Sequence, residues 1–122
     1  MKKLDTTKLT EEQQKLINDE LGILATVGPN DEPVVGPKGS LRVLDPEHLV
    51  YLEYTKGHAF ENVNHGSKVA AVFVDLPAHK AVRVMGTTEV HEGDDFAKEQ
   101  IEKAGREGEM AVVVIKIEAI YA

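Results

Sequence analysis

Apolar and polar residues recur along this chain with two different periods. Near the N-terminus, Thr10-Glu11-Glu12-Gln13 has the form of a capping box, with Thr10 as N-cap and Gln13 reaching back. Leu16, Ile17 and Leu21 fall on one helical face, and Gly22 reads as the helix stop. The period then shortens to that of strands. Ile23 to Val27 is a short apolar strand, and Gly28-Pro29-Asn30-Asp31 carries turn chemistry that returns a second strand from about Pro33 as a hairpin. The pattern predicts that this strand runs on through an irregularity at Gly36 to Ser40 into Leu41-Arg42-Val43-Leu44. Asp45-Pro46-Glu47-His48 is a turn, Leu49 to Tyr54 a third strand, and His58 to His65 a brief helix bounded by Gly57 and Gly66.

Lys68 to Asp75 is a strongly apolar fourth strand, and Ala81 to His91 alternates as a fifth. Asp94 or Asp95 caps a further helix whose Phe96, Ile101 and Ala104 share a face, with Gly105 ending it. Met110 to Ile117 is the sixth and most hydrophobic strand. Roughly six strands and two to three short helices, joined mainly by hairpins, predict an α+β, mainly β fold whose antiparallel sheet closes into a barrel. Closure would hide the sheet edges. The 122 residues are expected to form a single domain, with no repeat or linker.

Composition narrows the function. Hydrophobic residues make up 42% of the chain, enough for a packed core. With no Trp, three Phe and three Tyr, that core must be mainly aliphatic. A net charge of −7 argues against sequence-independent nucleic-acid binding and against docking on anionic lipid. The absence of Cys excludes disulfides and thiolate chemistry. Met1-Lys2-Lys3-Leu4-Asp5 leads into a charged helix, and no apolar run approaches a membrane span, so a soluble, cytoplasmic protein is expected.

Two stretches offer chemistry. Val35-Gly36-Pro37-Lys38-Gly39-Ser40 sets one cation, a hydroxyl and two glycines in an otherwise apolar strand region. Gly57-His58-Ala59-Phe60-Glu61-Asn62 opens a short helix whose free N–H groups suit an anion. Together they look like two walls of a pocket for a phosphorylated ligand. Each piece also has a plain structural reading. Most lysines are solvent-exposed strand or helix residues, glycines commonly mark bulges, and a lone His in a turn is usually incidental. Gly-Pro-Lys-Gly-Ser lacks the P-loop spacing. His48, His65, His79 and His91 are scattered without metal-site spacing. Glu89 and Glu92 around His91 fit a solvent-facing strand. There is no Gly-x-Ser-x-Gly elbow, and no side chain stands out as a general acid or base.

The order of these pieces carries a resemblance. Val35 to Ser40 with Val43-Leu44-Asp45, Glu61-Asn62-Val63 with Lys68-Val69-Ala70, and Val84-Met85-Gly86-Thr87-Thr88-Glu89-Val90 resemble the pyridoxamine 5′-phosphate oxidase-like flavoproteins, specifically their short FMN-binding split-barrel members. The resemblance runs from about Leu21 to Val90 and takes in the last strand. It implies a six-stranded split barrel and a homodimer with FMN bound non-covalently at the subunit interface. By the same resemblance, Lys38, Gly39 and Ser40 would contact the phosphate and ribityl chain, joined by Tyr54, Thr55, His58 and Ala59. Asn62 would support the turn, and Val35 and Pro37 would lie near the isoalloxazine ring. Family members often carry Lys or Arg followed by Thr or Ser where this chain has His58 and Ala59, so a hydroxyl is missing and the cation becomes pH-dependent. The implied function is that of an FMN-dependent oxidoreductase or electron carrier. The alternatives are a split-barrel module that has lost FMN and binds another phosphorylated or planar ligand, and a ligand-free structural dimer.

Overall fold

The computed structural model describes residues 1–122. Helix α1, Glu11–Asp19, starts with the predicted reciprocal cap: Gln13 N–H donates to Thr10 Oγ1 at 3.1 Å, and Thr10 N–H donates to Gln13 Oε1 at 2.9 Å. It ends three residues earlier than Gly22, and Leu21 is exposed. Gly22 instead opens strand β1, Gly22–Val27, where a Cβ would lie 2.6 Å from the Phe73 ring and 2.9 Å from Leu41. The glycine serves close packing there, not helix termination.

β1 turns through Pro29–Asp31, with Asn30 and Asp31 both left-handed, into β2, Pro33–Lys38. The expected continuous second strand is in fact two. A turn at Gly39 and Ser40 ends β2, and β3, Arg42–Asp45, begins on the far side. β4 (His48–Glu53), α2 (His58–Asn64), β5 (Val69–Asp75), β6 (Lys80–His91), α3 (Asp95–Lys103) and β7 (Ala111–Tyr121) follow. The sheet has seven strands in the order β2-β1-β5-β6-β7-β4-β3, all neighbours antiparallel. Its two edges, β2 and β3, are consecutive in sequence but are not paired with each other. The Gly39–Ser40 turn carries the chain from one edge to the other, so the expected closure that would hide the edges does not occur; an unclosed sheet of this order is consistent with a split barrel.

Leu24, Leu49, Tyr51, Phe73, Val84, Ile115 and Ile120 fill the interior, with Ile17 of α1 closing one end. Val50, Leu52, Val112 and Val114 point the other way and are covered by Ala97 and Ile101 of α3. That cover explains why β4 and β7 are apolar on both faces. Asp94 is the α3 cap, accepting from Ala97 N–H at 2.8 Å. On α3 the buried set is Ala97, Gln100 and Ile101, while Phe96 and Ala104 pack at the margin. β6 and β7 shift register between Met85 and Gly86, where a Cβ would sit 1.9 Å from the Lys116 carbonyl oxygen. Only glycine lets the two backbones approach so closely.

Candidate functional site

Alternation along β2 divides the predicted site residues between two faces. Lys38, Gly36 and Val34 pair with Gly22, Leu24 and Thr26, whose side of β1 faces the interior. Val35 and Pro37 point outward, and Val35 is 70% exposed. The inner face of β2 reaches the end of β4 through Lys38 and the head of α2 through Val34. At one end Lys38 Nζ lies 2.7 Å from Glu53 Oε2. At the other, His58, Glu61 and Asn62 share a cleft of about 170 Å³ with Val34 and Glu32. Val34 and Lys38 are four residues apart, about 13 Å of strand. Between them a Cβ added at Gly36 would meet nothing within 4 Å, and the same is true at Gly39.

The bend at the Lys38 end is stitched to β4. Ser40 Oγ donates to the Leu52 carbonyl at 3.1 Å and accepts from Leu52 N–H at 2.9 Å. Its hydroxyl proton is therefore committed. The backbone N–H groups of Gly39 and Ser40 have no protein acceptor. Tyr54 and Thr55 follow directly, with Tyr54 half exposed and the Arg106 guanidinium 5.6 Å from its ring centre. Lys56, in a left-handed conformation, points to Glu92 at 3.5 Å rather than to the Lys38 end.

Asn62 is buried and anchors α2 to β1, donating from Nδ2 to Thr26 Oγ1 at 3.0 Å, while its backbone carbonyl accepts from Ser67 N–H. The α2 head thus has a fixed seat against the hairpin. His58 and Ala59 open α2, and Glu32 and Glu61 line the same cleft as His58. The cation and free amides lie at one end of β2, and His58 lies near the other.

Two residues that matter here escaped the sequence reading. Glu53 is an almost fully buried carboxylate, and Tyr51 shares its face of β4 with the Lys38 ammonium 5.4 Å above its ring. Glu53 Oε1 and Tyr51 OH are both buried without a hydrogen-bond partner. Burial, and then the nearby Glu53 charge, push the Tyr51 phenol well above its ordinary range. A signal was available: Leu49, Tyr51 and Glu53 share one parity, so Glu53 puts a charge at an inward position. His91 also differs from a simple solvent-facing residue. Its Nε2 lies 2.9 Å from Glu89 and its Nδ1 2.7 Å from the α3 cap Asp94.

A protein-family model described as pyridoxamine 5′-phosphate oxidase matches residues 9–122. The chain belongs to the pyridoxamine 5′-phosphate oxidase family. Within the family's solved structures, a Lactobacillus delbrueckii protein provisionally assigned as a pyridoxamine 5′-phosphate oxidase is 55% identical, with 100% of both chains covered and a TM-score of 0.94. HupZ of Group A Streptococcus is 34% identical over 93% of this chain and 92% of its own, with a TM-score of 0.85. A pyridoxamine 5′-phosphate oxidase-related, FMN-binding protein of Nostoc punctiforme shares the fold at 12% identity, covering 87% of this chain and 74% of that one, with a TM-score of 0.65. No curated protein matches the chain. The family's split barrel agrees with the fold described above, with the bent second strand counted as two. No helix is long and apolar enough to cross a membrane.

Proposed function

We propose that this protein binds FMN in a groove between the inner face of β2 and the Glu53-to-His58 segment, and acts as a flavin-dependent oxidoreductase or electron carrier. The observation that carries this reading is the Lys38–Gly39–Ser40 bend: one ammonium and two unpartnered amide N–H groups beside open space at Gly36 and Gly39. That donor set fits a phosphate, which takes charge-assisted hydrogen bonds from lysine and backbone amides. Family membership supports the same cofactor. Lys38 and the Gly39 and Ser40 amides would hold the phosphate, and Tyr54 and Thr55 would continue the wall. Ser40 would act through its amide and by fixing the bend to Leu52, since its hydroxyl is already committed. His58, Ala59 and Asn62 would bound the far end. The bound flavin would supply the redox chemistry, while the chain's residues orient it and exclude water.

The proposal includes a homodimer. The outer faces of β2, β1 and β5 meet in the cross-strand pairs Ile23–Pro37, Ala25–Val35, Val27–Pro33, Ile23–Val72 and Ala25–Ala70, all apolar. Next to them, Arg83 Nε is buried without a partner, and its guanidinium stacks 4.3 Å from the Tyr121 ring centre. A second copy covering this face would bury Val35 and Pro37 and bring them to a cofactor lying between subunits.

The test is titration of the purified protein with FMN, followed by flavin absorbance and fluorescence at pH 6 and pH 8, together with sedimentation to fix the oligomeric state. Saturable one-to-one binding per chain is expected. Failure to bind at either pH overturns the cofactor assignment, and a monomer at micromolar concentration overturns the dimer. One observation favours a second reading. Lys38 already carries a carboxylate partner, which suits a module for a less highly charged planar ligand. Riboflavin binding as tight as that of FMN would select it.

A further inference from the structure

The Lys38–Glu53 pair is more than a fastening of the groove. The Lys38 side chain is 16% exposed and that of Glu53 only 2% exposed, so Lys38 is the member of the pair that keeps contact with solvent. Its charge is already matched by Glu53 Oε2 at 2.7 Å. Glu53 Oε1 has no donor, and Tyr51, the nearest polar neighbour on the same face of β4, makes no hydrogen bond. A dianion approaching Lys38 therefore meets a buried negative charge one ion-pair distance behind the ammonium. Drawing Lys38 away would leave that charge without its only partner.

We propose that Glu53 is the residue that sets discrimination between phosphorylated and unphosphorylated ligands at this site, by competing with the ligand phosphate for Lys38. The proposal rests on the binding groove proposed above and names the residue that tunes it. Like charges a few ångströms apart in a partly buried site repel by amounts worth a factor of ten or more in affinity. Neutralising Glu53 while keeping its shape should strengthen phosphate binding and leave the rest of the ligand's contacts alone.

The experiment compares wild type with Glu53→Gln, measuring dissociation constants for FMN and riboflavin by flavin fluorescence, and for orthophosphate by phosphorus NMR titration. Glu53→Gln is expected to raise the FMN-to-riboflavin affinity ratio about tenfold and to tighten orthophosphate binding by a similar factor. An unchanged or lowered ratio, or unchanged orthophosphate binding, overturns the proposal. The orthophosphate arm separates this inference from the cofactor assignment. If neither form binds flavin, the assignment fails, and the orthophosphate comparison alone decides the role of Glu53. Should circular dichroism show Glu53→Gln to be unfolded, Glu53→Asp takes its place. That variant keeps the charge but withdraws the carboxylate by one methylene. It should raise the ratio about twofold to threefold, and no rise counts against the proposal.

Discussion

Removing the ammonium from the Lys38–Glu53 pair tests whether the end of the groove is as tightly built as its geometry indicates. In Lys38→Met the side chain keeps similar length and loses its charge. At 2.7 Å the gross attraction in the pair is about 6 kcal/mol for an effective dielectric constant of ~20. Much of this offsets the cost of taking both charges out of water. Breaking such a pair from one side nevertheless costs roughly 3–5 kcal/mol, because the remaining charge is stranded. Lys38 retains some contact with solvent, so the lower end applies, about 3 kcal/mol. For a chain of this size that corresponds to a loss of roughly 10 °C in melting temperature. Chemical denaturation with circular dichroism measures it. Adding Glu53→Gln should then recover more than half of the loss, since it removes the stranded carboxylate. A Lys38→Met penalty below about 1 kcal/mol, the level of an exposed ion pair, would refute the reasoning. So would a double variant no more stable than the single one. The measurement also guards the binding assays, because a Lys38 variant that loses flavin could do so through lost stability alone.

Gly86→Ala should cost about 3 kcal/mol or abolish folding, as its Cβ would overlap the Lys116 carbonyl oxygen at the β6–β7 register shift; thermal melts measure this. Thr10→Ala should cost about 1 kcal/mol by removing one half of the α1 capping box, again read from melting curves. Asp94 has its carboxyl held below the usual range by the Ala97 amide first and the His91 ring second. A depressed folded-state value means that its contribution is present above the unfolded-state pKa of ~4 and is lost as pH falls through the lowered value. Stability measured from pH 6 down to pH 2 should therefore decline less steeply in Asp94→Asn, which keeps a capping oxygen but does not titrate.

Local elements were legible wherever a short-range rule decides them. The Thr10–Gln13 box, the Gly28–Asp31 hairpin turn and the His58 helix all depend on contacts within a few residues. The misreadings share one cause. Gly22 looked like a helix stop because glycine favours that role, yet its position answers to Phe73, fifty-one residues away in the chain. The Gly36-to-Ser40 irregularity looked like a bulge within one strand. It is the place where the chain leaves one sheet edge for the other, and hydrophobic alternation resumes on both sides of it. At the candidate site, Lys38, Gly39 and Ser40 stood out by composition, whereas the parity that turns Val35 and Pro37 away from Lys38 acquires meaning only once inside and outside are known.

From residue order alone came most of the element sequence, the mainly antiparallel β architecture and the family, because periodicity, turn chemistry and motif spacing are all properties of the linear chain. The tertiary structure decided what those residues meet. It set Glu53 against Lys38, committed the Ser40 hydroxyl to Leu52, left the Gly39 and Ser40 amides free, and covered one apolar face of β4 and β7 with α3 while leaving that of β2 and β1 open. Burial, pairing of charges and satisfaction of hydrogen bonds depend on distances between segments far apart in sequence, and only the folded chain assigns those distances.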